Sequence, residues 1–243
     1  IDYKKAPILK VDGLTGYGFR DVSFSVHKGE ILGLAGVVGS GRTELAEAIF
    51  GVGEIIEGDV LLEDKNIKGL STMQIIEEGL NYVPEDRHLH GIFDIADVRM
   101  NTTSAILSRV SKVFINKKKE TGITKKFIED FRIKVTGQGQ ELRSLSGGNQ
   151  QKVVIGRILS SDPKVIVLDE PTRGIDAGAR GDVYKIIHQL KKQGLAILLI
   201  SSDFEEIFEL ADRAEVMCHG TNTVQLAKEE ITMDALTHAS FGA

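Results

Sequence analysis

Ile31-Leu32-Gly33-Leu34-Ala35-Gly36-Val37-Val38-Gly39-Ser40-Gly41-Arg42-Thr43 decides the fold. The continuous apolar run Ile31 to Ala35 reads as a central parallel strand, buried on both faces. It feeds Gly36-Val37-Val38-Gly39-Ser40-Gly41-Arg42-Thr43, which keeps the G-x-x-x-x-G-[K]-[ST] spacing of a phosphate loop everywhere but at one place. Glycines let backbone N–H groups curl around β- and γ-phosphate oxygens, and the helix starting near Arg42 adds its positive end. The Thr43 hydroxyl is placed to ligate Mg2+. An ordinary Gly-rich turn would share the glycines; the apolar strand ahead of them favours the phosphate-binding reading. The departure is Arg42, where lysine is usual. Charge is kept, but a rigid planar fork replaces a compact point charge, so binding is expected to survive better than transition-state geometry.

Outward from this loop, Leu9 to Val11 and Val22 to Val26 alternate in polarity and read as half-buried antiparallel strands. Leu45, Ala48 and Ile49 stand at helical spacing before Gly51. Val60 to Leu62 reads as an edge strand, Ser71 to Glu78 as a helix, and Tyr82-Val83 as a short strand stopped by Pro84. Between Asp86 and Gln140 apolar residues recur with a helical period. Ser146 is placed to cap a helix running to about Ser160, with Val154/Ile158 and Ile155/Leu159 one turn apart. Strand Val165–Leu168, helix Ala179–Lys192, strand Leu195–Ser201, helix Glu205–Leu210 and strand Ala214–Cys218 follow. Residues 220–243 carry little signal. Strands alternating with helices imply an α/β fold with a mainly parallel sheet. A single domain is expected, with residues 1–85 and 156–243 as the α/β core plus a β subdomain and residues 86–155 as a helical subdomain. The chain opens at Ile1 rather than Met, which suits a piece of a longer polypeptide and a trimmed start equally well.

Bulk composition narrows the classes. The 243 residues are 42% hydrophobic and 27% charged, and 30 basic against 35 acidic residues leave a net charge of −5. That balance argues against a dedicated nucleic-acid binder. The lysines at 117–119 and 125–126 therefore read as a solvated helical face. Cys218 stands alone, so no intramolecular disulfide framework exists, as suits a reducing cytosol. No apolar run approaches the roughly 20 residues that cross a bilayer. His88 and His90 lack a third ligand at zinc spacing.

Two further motifs carry chemistry. Val165-Ile166-Val167-Leu168-Asp169-Glu170 ends a buried strand in two carboxylates, where open parallel sheets bind ligands. Asp169 would hold Mg2+ through water and Glu170 would polarise the attacking water. Leu145-Ser146-Gly147-Gly148-Asn149-Gln150-Gln151 supplies a second Gly-rich helix start, where Ser146 and the N–H groups of Gly147 and Gly148 can bind an anion.

In this order the three motifs resemble the ATP-binding domain of an ABC transporter, a P-loop NTPase whose parallel core carries an antiparallel β subdomain and an inserted helical subdomain. The resemblance spans nearly the whole chain. Gly29 to Leu45, Val83-Pro84-Glu85-Asp86-Arg87 and Asp169-Glu170-Pro171-Thr172-Arg173-Gly174 look like the second, C-terminal ATP-binding half of fused carbohydrate importers of the ribose, galactose, xylose or autoinducer-2 type. The resemblance implies ATP and Mg2+ as ligands. Residues 36–43 with Glu44 and an aromatic at Tyr17 or Phe19 would contact the nucleotide, and Thr43, Glu85 and Asp169 would serve the metal. It also implies that Ser146, Gly147, Gly148 and Gln150 cap a γ-phosphate held by a partner domain. The partners implied are an N-terminal ATP-binding half or a second copy, permease subunits on the inner face of the plasma membrane, and indirectly a solute-binding protein.

Three departures from that family point one way. Arg42 replaces the loop lysine, Glu85 stands where a glutamine is usual, and Ser202 in Ile200-Ser201-Ser202-Asp203 stands where a histidine reaches the γ-phosphate. Loss of one preorganised donor costs about 10²–10³ in rate at a well-studied oxyanion site. The expectation is a degenerate pocket of weak turnover, with Glu170 and Ser202 at its catalytic positions, and an intact Ser146 motif that serves the partner. A soluble ABC ATPase and a non-hydrolysing regulatory nucleotide-binding module are the alternatives.

Overall fold

The computed structural model describes residues 1–110 and 115–242; residues 111–114 of the expected helical region lie outside it. In chain order the strands are β1 (Leu9–Gly16), β2 (Phe19–Val26), β3 (Ile31–Ala35), β4 (Ile55–Leu62), β5 (Lys65–Asn66), β6 (Leu80–Val83), β7 (Val165–Asp169), β8 (Ala196–Ser201), β9 (Arg213–Cys218) and β10 (Thr221–Ala227). The α-helices are α1 (Arg42–Ile49), α2 (Thr72–Glu78), α3 (Val98–Thr103), α4 (Leu107–Val110), α5 (Lys117–Asp130), α6 (Gly147–Leu159), α7 (Ala177–Lys192), α8 (Phe204–Leu210) and α9 (Met233–Ser240).

One compact unit comprises Ile1–Tyr82, Pro163–Glu170 and Ile187–Ala243. Its six-stranded sheet has the order β10-β9-β3-β8-β7-β6. β9, β3, β8 and β7 are parallel, as the apolar runs predict, and β10 returns antiparallel along β9. Every residue of β3, β7 and β8 is buried. Burying one such aliphatic side chain stabilises by about 1.5–3 kcal/mol. Gly33 lets α8 lie flush on β3: a Cβ there would stand 3.0 Å from Ala211 and 3.1 Å from Ile207.

The antiparallel sheet has the order β2-β1-β4-β5. In β1, Leu9, Val11 and Leu14 turn inward while Lys10 and Asp12 turn out, the alternation of a half-buried strand. β4 corrects the edge reading, because it pairs with β1 on one side and the two-residue β5 on the other. Its first residues, Ile55-Ile56-Glu57, are largely exposed, which hid its length. α2 begins one residue later than the helical period suggests, since Ser71 is its N-cap: the Ser71 hydroxyl accepts from Gln74 N, and Gln74 Oε1 accepts from Ser71 N at 2.9 Å. Residues 220–243 correct a second expectation by supplying β10 and α9.

The other unit comprises Val83–Asp162 and Pro171–Ile186. Within it α3 packs on α5 and α6. Gly156 of α6 lies against Phe127 of α5, where a Cβ would meet the ring at 3.2 Å. Lys117–Lys119, Lys125 and Lys126 are exposed along α5.

Leu198 sits at 0% exposure in β8, whereas Leu89 is 74% exposed. Urea titration is expected to show Leu198→Ala destabilising by about 3 kcal/mol and Leu89→Ala by less than about 0.5 kcal/mol.

Candidate functional site

The phosphate loop leaves β3 at Ala35 and enters α1 at Arg42, with Val38 and Gly39 exposed to solvent. Gly41 is its tightest point. Its φ of 93° suits glycine alone, and a Cβ there would stand 2.2 Å from the Gly18 carbonyl oxygen. Gly18 belongs to the β1–β2 turn. From the β9–β10 turn, Gly220 N donates to the Ser40 carbonyl at 3.1 Å, and the Gly220 carbonyl accepts from Arg20 N at 2.7 Å. Two remote turns therefore brace the loop. Tyr17 stands on the first of them, 86% exposed, and Glu44 lies against Gly18. Phe19, by contrast, is buried in the apolar core.

Arg42 is buried and folded inward. Its Nε donates to Ser40 Oγ at 3.0 Å, its Nη2 to the Val37 carbonyl at 3.4 Å and its Nη1 to Glu170 Oε1 at 3.3 Å. Burial lowers the pKa of the guanidinium, and Glu170 and Asp169 oppose that shift. Glu170 Oε1 also accepts from Ser202 N at 2.7 Å, and Glu170 N donates to the Ile200 carbonyl. Glu170 has a φ of 46°, a left-handed conformation that strains a residue with a side chain. Its carboxylate is thus tethered to the loop cation on one side and to the end of β8 on the other.

Asp169 is fully buried at the end of β7. Its Oδ2 accepts from the Tyr82 hydroxyl at 3.0 Å, and the Thr43 hydroxyl also bonds the carboxyl. Oδ1 is buried without a hydrogen-bond partner among the described residues. Burial pushes the Asp169 pKa from 3.8 up to about 6, against the lowering effect of Thr43 and Tyr82. A desolvated carboxylate oxygen beside a hydroxyl at a helix start fits a hard cation, which takes oxygen ligands. Among the described residues no group of three His, Cys, Asp or Glu gathers as a metal cage. Mg2+ needs none, since it is held by one or two protein oxygens with phosphate oxygens and water.

The remaining expected site residues belong to the helical unit. Glu85 forms an ion pair with Arg173. Arg87 donates through Nε to Gln150 Oε1 at 3.3 Å, through Nη1 to the Arg173 carbonyl at 2.7 Å and through Nη2 to the Gly174 carbonyl at 3.3 Å. A Cβ on Gly147 would stand 2.7 Å from Arg87 Nη2 and 3.1 Å from the Gly174 carbonyl oxygen, so this guanidinium backs the start of α6 closely. Ser146 occupies the N-cap position, but its hydroxyl makes no capping bond, which corrects the capping expectation. It instead accepts from Asn149 Nδ2 at 2.9 Å and is exposed. Gly148 is buried against Ala179. Gln150 is also buried, and its Nε2 donates to the Leu142 carbonyl at 3.2 Å.

Sequence reasoning missed Tyr82, Gly18 and Gly220 as parts of the site. Each acts across a long stretch of chain, and no local spacing marks them.

The family model described as ABC transporter matches residues 19–173. The chain is 41% identical over 236 residues to the autoinducer 2 import ATP-binding protein LsrA of Enterobacter sp. strain 638, covering 97% of this chain and 47% of that protein. It is 42% identical over 238 residues to the ribose import ATP-binding protein RbsA of Caldanaerobacter subterraneus subsp. tengcongensis, covering 97% and 48%. The chain thus spans about half the length of these curated relatives. A crystal structure of a nucleotide-free ATP-binding cassette from an ABC transporter superposes with a TM-score of 0.84 at 25% identity, covering 96% of both chains.

The carboxyl of Asp169 yields a pH signature. Its pKa is raised on folding, so its contribution to stability is complete below pH 3.8 and is lost as pH rises through about 6. Asp169→Asn never ionises. Without nucleotide or Mg2+, the variant is expected to exceed the parent in unfolding free energy by about 2–3 kcal/mol at pH 7.5, with the gap narrowing toward pH 4.5. A gap independent of pH across urea titrations would refute this assignment.

Proposed function

The chain belongs to the ABC transporter family and is related to its ribose, xylose and autoinducer-2 import ATP-binding proteins; from that premise we propose that it is an ATP-binding, energy-coupling domain of a carbohydrate importer. Resemblance at Gly29 to Leu45, Val83 to Arg87 and Asp169 to Gly174 supports placing it as the second ATP-binding half of a fused polypeptide. Its partners in this reading are the first half, or a second copy, and permease subunits that hold it at the inner face of the plasma membrane. A solute-binding protein acts through those permease subunits. Among the described residues no helix is long and apolar enough to cross a membrane. In this reading the unit of Ile1–Tyr82, Pro163–Glu170 and Ile187–Ala243 serves as the α/β core with its β subdomain, and the unit of Val83–Asp162 and Pro171–Ile186 as the helical subdomain.

In the proposed cycle the triphosphate lies along the N–H groups of residues 36–43 and Glu44, with Tyr17 stacked on the base. Thr43 and Asp169 would hold Mg2+. The chemistry such an ion would supply is neutralisation of phosphate charge. Ser146, Gly147 and Gly148, with Gln150 behind them, would present a helix start to the γ-phosphate of the partner's pocket. Closure of two such domains on ATP and reopening after hydrolysis would move the permease.

The observation that carries the degenerate reading is the Arg42–Glu170 pair. Glu170 is the carboxylate expected to polarise water, yet it accepts from the loop's own guanidinium. Ser202 offers only its backbone N–H to that carboxylate, and a serine carries no positive charge toward a γ-phosphate. Both features support slow turnover here and a stronger role as the lid of the partner's pocket. A second reading, normal hydrolysis, is favoured by the retention of Glu170 itself.

Phosphate release by the assembled transporter separates the two. Ser146→Ala and Gly147→Ala are expected to lower turnover at least ten-fold, and unchanged turnover would exclude the role in trans. Glu170→Gln is expected to leave turnover essentially unchanged if this pocket is slow, whereas loss of about half of it would establish normal hydrolysis.

A further inference from the structure

Tyr82 lies in β6, next to β7 in the sheet, and its ring is buried in the apolar cluster that includes Val165, Val167, Leu198 and Ile200. The ring leans on Phe50, with centroids 5.5 Å apart and an interplanar angle of 43°. A phenylalanine would fill that volume equally well. The hydroxyl is therefore an added polar atom in an apolar place, which is costly unless a partner takes it. The partner is Asp169 Oδ2, 3.0 Å away. A phenol has one proton to give, and this bond commits it to one oxygen of the carboxyl group. The other oxygen, Oδ1, is left buried and unpartnered among the described residues.

We propose that Tyr82 is a positioning residue of the Mg2+–nucleotide site, whose hydroxyl holds Asp169 by Oδ2 so that Oδ1 stays aimed at the cation. The inference rests on the nucleotide-binding reading above. Carboxylates that serve metals are themselves held by outer hydrogen bonds, and removal of such a partner costs about 10–100-fold in metal affinity or activity. The division of labour within the carboxyl group follows from geometry: Oδ2 is occupied from the strand side, and Thr43 reaches the same carboxyl from the start of α1. Rotation of the carboxyl group would break the Tyr82 bond, and the packed ring cannot follow.

Tyr82→Phe removes one oxygen and keeps the ring on Phe50. Binding of a fluorescent ATP analogue is measured first in EDTA, then across a Mg2+ titration. The expected result is a nucleotide affinity in EDTA within about two-fold of the parent, together with at least a ten-fold rise in the Mg2+ concentration at half effect. A merely structural role would weaken both states alike, and that outcome, or an unchanged Mg2+ midpoint, overturns the proposal. A second measurement leaves the core intact: 3-fluorotyrosine is placed at position 82 alone and its 19F resonance is followed. The resonance is expected to move when Mg2+ is added to the nucleotide-loaded protein, and a static resonance overturns the proposal even if Tyr82→Phe fails to fold. Failure of the parent to bind nucleotide in EDTA and in Mg2+ alike would instead remove the nucleotide-binding reading, and this inference with it.

Discussion

A carboxylate buried at the end of an otherwise apolar sheet is the constraint around which the rest is arranged. β3, β7 and β8 bury every side chain, and the only charges they carry toward their C-terminal ends are Asp169 and the Glu170 that follows. Taking an ionised carboxylate out of water costs several kcal/mol unless other groups offset it. Tyr82, Thr43 and the nearby Arg42 each offset part of that cost, and the unpartnered Oδ1 shows that the compensation is incomplete. A fold optimised only for stability would place an asparagine or an aliphatic residue there. The unresolved charge suits a cation that arrives with its ligand.

The second constraint is the fit around the loop. Gly41 tolerates no Cβ because the Gly18 carbonyl already occupies that space, and Gly220 holds Ser40 from the other side. The loop's conformation is therefore set by the β1–β2 and β9–β10 turns as much as by its own glycines. This preorganisation means that little backbone entropy remains to be lost when an anion binds.

How much of this was legible depended on whether the information was local. The continuous burial of Ile31–Ala35 and Val165–Asp169, and the alternation in β1, are written in neighbouring residues, so strand type and the parallel core followed from pattern alone. β4 misled because its first half faces solvent, which hides an interior strand among charged and glycine residues. β10 and α9 escaped because β10 buries little beyond Leu226 and α9 buries only Leu236 and Ser240. The site motifs were legible as spacings, but their connections were not. Arg42 meets Glu170 across 128 positions and Tyr82 meets Asp169 across 87, and only the folded chain brings them together. Ser146 shows the converse error: a residue type suited to capping occupies the N-cap, yet Asn149 engages its hydroxyl.

The inward fold of Arg42 has an electrostatic consequence. Its guanidinium lies beside Glu170, with Nη1 3.3 Å from Oε1, so the loop cation is matched by an equal and opposite charge. A compact internal ion pair projects little potential beyond a Debye length. Capture of a polyanion by this pocket would then proceed by unassisted diffusion and short-range docking, with an association rate that varies weakly with ionic strength.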